Sequence, residues 1–293
     1  MSVHGLPVAL YEFVVAPAAL AIAFRHARAA LGARRAAGEL LALSAYGFAL
    51  ERISMTAFQS HRYGAGWRLC PAGVPVAVAV VWAAVISAAL ALAARRGLRH
   101  PAARALAAAL FAVTLDLTME PVAVRRCLWE WTPPGPWLDV PVGNFVGWIV
   151  IVAGYGIGAE RWAGDGPFRA EAGRRILLAT AALAALLAVG GLWTRLDMET
   201  ALGRRGGWIA WALVLLATAA VASRRALPER AETLAGRLGA TPGRGPGLVF
   251  LLVATAFAAE AALLGIPVVA VVALGTALAL LPLLRASGTA SSG

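Results

Sequence analysis

Asp116 and Glu120 stand at i and i+4 near the end of a long apolar run. They open the stretch DLTMEPVAVRRCLWEWTPPGPWLDVPVGNFVGW, Asp116 to Trp148. On a helix that spacing puts both carboxyl groups on one face. Neighbouring carboxyls disfavour joint ionisation, so such a pair suits general acid and base work. The same stretch carries Trp129, Trp131, Trp137 and Trp148, and its second apolar run opens with Asn144. Three further carboxylates, Glu12, Glu51 and Glu260, fall inside or at the ends of apolar runs. A charged side chain at mid-bilayer costs about 2.5–3.5 kcal/mol on insertion scales, so such groups face a bundle interior and are candidates for function.

Each of these residues also has a plainer reading. Asp116 and Glu120 would pair with Arg52, Arg125 or Arg126 at the rim of a bundle, and Glu51 would be interfacial. Asn144 would cap a helix, a role that Asn fills well. The tryptophans, Trp67 included, would form an interfacial belt. A D-x-x-x-E pattern is also near the D-x-x-x-D diphosphate motif of membrane prenyltransferases. Those enzymes need two acidic clusters to hold magnesium, and the chain has one. Four scattered His residues (His4, His26, His61, His100) and the absence of a C-x-x-C argue against a metal centre. Cys70 and Cys127 fall on the same predicted side, which would allow a disulfide, although two inert thiols are the simpler reading.

The elements that must position these groups are apolar and long. Of 293 residues, 60% are hydrophobic and 14% charged, against roughly a quarter charged in a soluble domain. Mean hydropathy is +0.76. Nine apolar segments stand out: 6–24, 39–57, 74–94, 102–120, 142–160, 175–193, 207–222, 247–264 and 266–284. At about 1.5 Å per residue each reaches across a ~30 Å hydrocarbon layer, the shortest marginally. Helices are expected, since backbone groups in lipid must be satisfied within the segment. The fold class is therefore all-α, a polytopic transmembrane bundle of about 8–9 spans in one integral-membrane domain, 1–293, with a disordered tail at 286–293.

All basic residues are Arg, and net charge is +11. Loops 1–2, 3–4, 5–6 and 7–8, with Arg285, hold 18 of the 26; the alternate loops hold eight. Such alternation is a topology signal beside anionic headgroups rather than a nucleic-acid footprint. It predicts a multi-pass protein of the cytoplasmic membrane, N-terminus outside and C-terminus in the cytoplasm. The first residues, MSVHGLPVAL, lack the basic region of a cleaved signal peptide. In this topology Glu12, Glu51, Asp116, Glu120, Asn144 and Glu260 share one depth in the outer half, where they can converge.

Three blocks of sequence resemble the CruF-type carotenoid hydratases, the membrane family that includes bisanhydrobacterioruberin hydratase and γ-carotene 1'-hydroxylase. One runs from Glu51 through Tyr63 to GVPVAVAVVW, ending at Trp82. The second is HPAARALAAALFAVTLDLTMEPVAV, His100 to Val124, similar to a helix ending in D-x-x-x-D-P. The third is WEW…VPVGNFVGW, Trp129 to Trp148. The resemblance covers about 39–162. The chain departs from the pattern at Glu120, where the family has Asp, in the loop AFQSHRYGAGW, and in TPPGPWLDVP.

The resemblance implies hydration of the terminal C1'=C2' double bond of an acyclic carotenoid (lycopene-, γ-carotene- or C50-like) to a tertiary alcohol. The partners are then the carotenoid, water and the bilayer, with no nucleic acid, cofactor or metal. For that reaction the residues suggest Asp116 as general acid, with Glu120 tuning it or acting as base, and Glu51 as alternative base; the roles of Asp116 and Glu120 are exchangeable. Trp129, Trp131 and Trp148 would wall the cation, and Asn144 and Tyr63 would contact substrate or water. Two other functions fit the same residues: another membrane isoprenoid enzyme (a carotenoid cyclase or prenyltransferase), and a non-catalytic carotenoid-binding protein.

Overall fold

The computed structural model describes residues 7–96, 98, 100–160, 168–201, 217 and 233–285. The chain forms an all-α bundle. Its helices are α1 (Val8–Leu31), α2 (Ala33–Ala57), α3 (Val76–Ala94), α4 (Pro101–Arg125), α5 (Val142–Ala159), α6 (Phe168–Arg195), the short α7 (Leu234–Ala240), α8 (Gly245–Leu263) and α9 (Pro267–Arg285). Among the described residues six helices are long and apolar enough to cross a membrane: α1, α3, α4, α5, α8 and the Gly173–Arg195 part of α6. Helix α2 has the length, but Arg34, Arg35, Glu39, Glu51 and Arg52 lower its hydropathy. The expected span at 207–222, apart from residue 217, and the expected disordered tail at 286–293 lie outside the described residues.

Local chemistry sets the helix limits. Gly32, at φ 81°, separates α1 from α2 in a conformation that costs a residue with a Cβ more. His100 caps α4 by accepting from the Ala102 N–H, and Pro101 follows at the first helical position. Inside α1, residues Tyr11–Val15 form a π-helical turn, a distortion often found at functional sites.

Helices α3 and α4 form the centre. Helix α3 packs on α1, α2, α4, α7 and α8, while α4 packs on α3, α5, α8 and α9. Both are rich in buried alanine, from Ala77 to Ala94 and from Ala105 to Ala123. Association in lipid draws little from the hydrophobic effect, and small residues let backbones approach and gain dispersion contacts. The outer helices expose Phe13, Val14, Ile176 and Leu177, as lipid-facing surfaces do.

One element breaks the all-helical expectation. Residues His61–Tyr63 (β1) pair antiparallel with Trp129–Trp131 (β2), His61 opposite Trp131 and Tyr63 opposite Trp129. This ribbon ties the α2–α3 connection to the α4–α5 connection at one end of the bundle. Cys70 and Cys127 both carry free thiols, so the disulfide that their predicted shared side would allow is not formed.

Candidate active site

Side chains alternate across a strand, so each strand of the ribbon has an inward and an outward face. Arg62 and Glu130 point outward and pair in solvent at 2.7 Å. His61, Tyr63, Trp129 and Trp131 share the opposite face and line a cavity of about 370 Å³. Tyr63 meets Trp129 edge-on at 5.7 Å, and His61 lies 4.9 Å from Trp131, centroid to centroid. The other walls come from α2 (Glu51, Ser54), α3 (Trp82), α4 (Met119, Glu120), α5 (Asn144, Trp148) and α6 (Gly190, Trp193). Trp82 and Trp148 stack with centroids 4.0 Å apart.

Four carboxyl groups line this cavity, Glu51, Glu120, Asp197 and Glu199, and two of them, Glu51 and Glu120, are held by side-chain donors other than arginine. Glu120 Oε2 accepts from the indole N–H groups of Trp129 and Trp131, each at 2.8 Å. Glu51 Oε1 accepts from Trp82 Nε1 at 2.6 Å, and its Oε2 lies 3.0 Å from His61 Nε2. The Tyr63 hydroxyl also bonds Glu51. Desolvation of that hydroxyl, and then the Glu51 carboxylate, push the Tyr63 phenol well above its ordinary value, so it remains a neutral donor.

Asp116 is fully buried and does not line the cavity. It sits behind Glu120 and Asn144. Asn144 Nδ2 donates to Asp116 Oδ2 at 2.8 Å, while Asp116 Oδ1 has no donor among the described residues. The Glu120 carboxyl lies within hydrogen-bonding reach of Asp116, and two carboxyls bond each other only when one carries a proton.

The position of Asp116 has a further support. Pro121 lies inside α4 and has no N–H, so the Leu117 carbonyl loses its usual i+4 partner. Trp137 Nε1 supplies a donor to that carbonyl at 3.1 Å. This pins the Pro-rich connection onto α4 beside the acidic pair.

The predicted residues therefore divide. Glu51, Glu120, Asn144, Tyr63, Trp129, Trp131 and Trp148 line one cavity, with Asp116 one layer back. The other two acids expected at that depth do structural work. Glu260 pairs with Arg126 at 2.5 Å, and Glu12 accepts the backbone N–H groups of Arg68 and Leu69 at 3.1 and 2.6 Å. Of the arginines expected at the rim, Arg126 thus serves Glu260, and Arg52 donates to the Ala72 carbonyl. Asn144 is inside the first turn of α5 rather than its cap. That turn is held by Glu199, which accepts from the N–H groups of Val142 and Gly143 at 2.7 and 2.9 Å.

A family model described as carotenoid biosynthesis protein matches residues 9–205. The chain belongs to this family. Comparison with curated proteins and with solved structures gave no match. The carotenoid biosynthesis match contains every polar residue of the cavity, from Tyr11 to Glu199; Val253 and Phe257 of α8 lie beyond it. Among the described residues no group of three His, Cys, Asp or Glu side chains is arranged to hold a metal.

Three residues of the site are not singled out by the sequence. His61 is there one of four scattered histidines, although the alternation in HRY and WEW puts it on the face of Tyr63, Trp129 and Trp131. Trp82 lies in an apolar run, and its N–H gains meaning only from the crossing of α2 and α3. Glu199 acts on a helix whose first turn lies 56–57 residues earlier, and nothing in the sequence marks that contact.

Proposed function

We propose that the protein hydrates the terminal C1'=C2' double bond of an acyclic carotenoid end group, giving a tertiary alcohol. The observation that carries this reading is an aromatic-walled cavity whose wall holds Glu120 and Glu51, each bonded by side-chain donors other than arginine. Family membership supplies the substrate class.

Protonation of an unactivated alkene needs a neutral acid away from bulk water. Glu120 faces the cavity and has a second carboxyl, Asp116, behind it, so Glu120 is the better-placed donor and Asp116 is its proton partner. The Glu120 proton goes to C2', leaving a tertiary cation at C1'. Indole faces stabilise cations, and Trp82, Trp129, Trp131 and Trp148 surround the space. A water oxygen then bonds C1', and its proton passes to Glu51. Return of that proton through cavity water to Glu120 resets the site, so water adds with no net change in the enzyme.

In this proposal the chain is a single integral-membrane domain of the cytoplasmic membrane, with the N-terminus outside and the C-terminus in the cytoplasm. The alternation of arginines between loops supports that orientation. The conjugated chain of the substrate then lies among lipid tails.

Expression in a lycopene-producing host, with mass analysis of the pigments, tests the reading. A gain of one water per reacted end, carrying label from H₂¹⁸O, is expected. An unlabelled isomer would identify a cyclase instead. Unchanged pigment with several acyclic substrates would rule out hydration.

A further inference from the structure

A hydrogen-bond chain at the cavity wall assigns a proton. Ser60 Oγ lies 3.1 Å from the Ser54 carbonyl and 2.9 Å from His61 Nδ1. A hydroxyl has one proton, and a carbonyl can only accept. The Ser60 proton therefore goes to Ser54, and His61 Nδ1 must donate to Ser60. With Nδ1 protonated, Nε2 faces Glu51 Oε2 at 3.0 Å, and one further proton must lie between these two atoms. Trp82 donates to the other Glu51 oxygen, which fixes the carboxyl plane.

We infer that His61 is a positioning residue that shares a transferable proton with Glu51 and holds that carboxyl as the site's base. Its place as base rests on the hydration proposed above; the shared proton rests on the geometry alone. The groups facing His61 are Glu51 on α2, Glu120 on α4, Ser60 beside it, Tyr63 on its own strand and Trp131 across the ribbon. Among them Glu51 holds the direct contact to Nε2. The ribbon therefore supplies a donor set to each carboxyl: Trp129 and Trp131 to Glu120, His61 and Tyr63 to Glu51. A glutamine at 61 keeps an N–H donor but neither takes up nor releases a proton at ordinary pH.

The test compares wild type, H61Q and S60A in native membranes on an acyclic carotenoid across pH. H61Q should lower kcat about tenfold or more at little-changed KM and alter the shape of the pH profile. S60A, which removes only the Nδ1 partner, should shift the profile with a smaller loss. Wild-type kcat and an unchanged profile in H61Q would overturn the inference. A wild-type protein that forms no hydrated product would sink the hydration reading instead. In that case the infrared carboxyl band assigned by E51Q decides: its titration should move in S60A and H61Q, and an unmoved band overturns the shared proton. If H61Q does not accumulate, the same band in S60A alone decides, moved in support or unmoved against.

Discussion

The two ends of this bundle bury carboxylates in opposite ways. At the Arg-rich end Glu39, with a side chain 1% exposed, lies 2.7 Å from Arg175 Nε and accepts from Tyr155 OH at 2.6 Å. Glu160 pairs with Arg104 beside it. Arg95 satisfies three carbonyls around the end of α7, those of Gly239, Thr241 and Gly243. At the ribbon end Glu51 and Glu120 meet indole, imidazole and phenol groups, and Asp116 meets an amide and a carboxyl. A buried guanidinium holds its partner as a permanent anion, because Arg stays charged at any accessible pH. Neutral donors orient a carboxyl and leave its proton free to move. The arginine-paired groups are therefore frame, as are Glu12 and Glu199, which accept backbone N–H groups. Glu51, Glu120 and Asp116, held by side chains other than arginine, are candidates for chemistry. The distinction applies within the ribbon end too, where Glu260 pairs with Arg126 and falls into the frame.

Exchanging a carboxyl for an amide at each end breaks this contrast most sharply. Glu120→Gln keeps an acceptor for Trp129 and Trp131 but removes the proton donor. Hydrated product should fall by about 10²–10⁴-fold, the usual weight of a general acid, with thermal stability in detergent close to wild type. Glu39→Gln should do the reverse. It removes the carboxylate that faces Arg175, and loss of one partner of a buried pair costs about 3–5 kcal/mol. The protein should unfold at markedly lower temperature, while the surviving folded fraction turns over normally. Equal damage from both changes, in both assays, would erase the distinction between frame and chemistry.

Much of this contrast is visible in the sequence, but only its local part. Apolar run length gives the helices, because each span satisfies its own backbone. The spacing of Asp116 and Glu120 gives their common face. Trp129 and Trp131 mark the site, since they lie 9 and 11 residues from Glu120, the acid they serve, and Asn144 opens the helix that follows. What stays hidden is long-range. Three-residue strands are too short for a period to emerge, so the ribbon that aligns His61 with Trp131 is invisible until the ends of α2 and α4 meet. The layering of Asp116 behind Glu120 depends on which way α4 is rotated against α5. Arginine counts per loop predict an Arg-rich end, yet they do not say that Arg95, Arg104 and Arg175 each lock a specific partner there.

A smaller effect is expected where backbone approach positions the base. Gly47 sits one turn before Glu51 on α2, facing α3. A Cβ at Gly47 would fall 2.7 Å from Trp82 Cβ and 3.1 Å from the Ala79 carbonyl. Gly47→Ala must push the helices apart, at a cost of about 1–3 kcal/mol for overpacking. The displacement also lengthens the 2.6 Å bond from Trp82 to Glu51. Stability and turnover should therefore fall together, which separates this variant from both amide exchanges. A loss of stability with wild-type turnover would show that Glu51 does not need its indole donor.

The smallest effect should come from the outward face of the same ribbon. Arg62 and Glu130 bond at 2.7 and 3.0 Å, but both side chains are more than half exposed. Exposed ion pairs contribute about 0–1 kcal/mol, and salt screens them further. The register that points His61, Tyr63, Trp129 and Trp131 inward is set elsewhere. The Thr132 N–H donates to the Ser60 carbonyl and the Gly64 N–H to the Leu128 carbonyl, closing the ribbon at both ends. A Cβ at Gly64 would lie 2.2 Å from the Cys127 carbonyl, so no bulkier residue fits that register. Arg62→Ala should therefore leave turnover within about twofold of wild type and stability within about 1 kcal/mol. If turnover instead fell tenfold, the outward ion pair rather than the backbone ladder would be holding the inward face on its carboxyl groups.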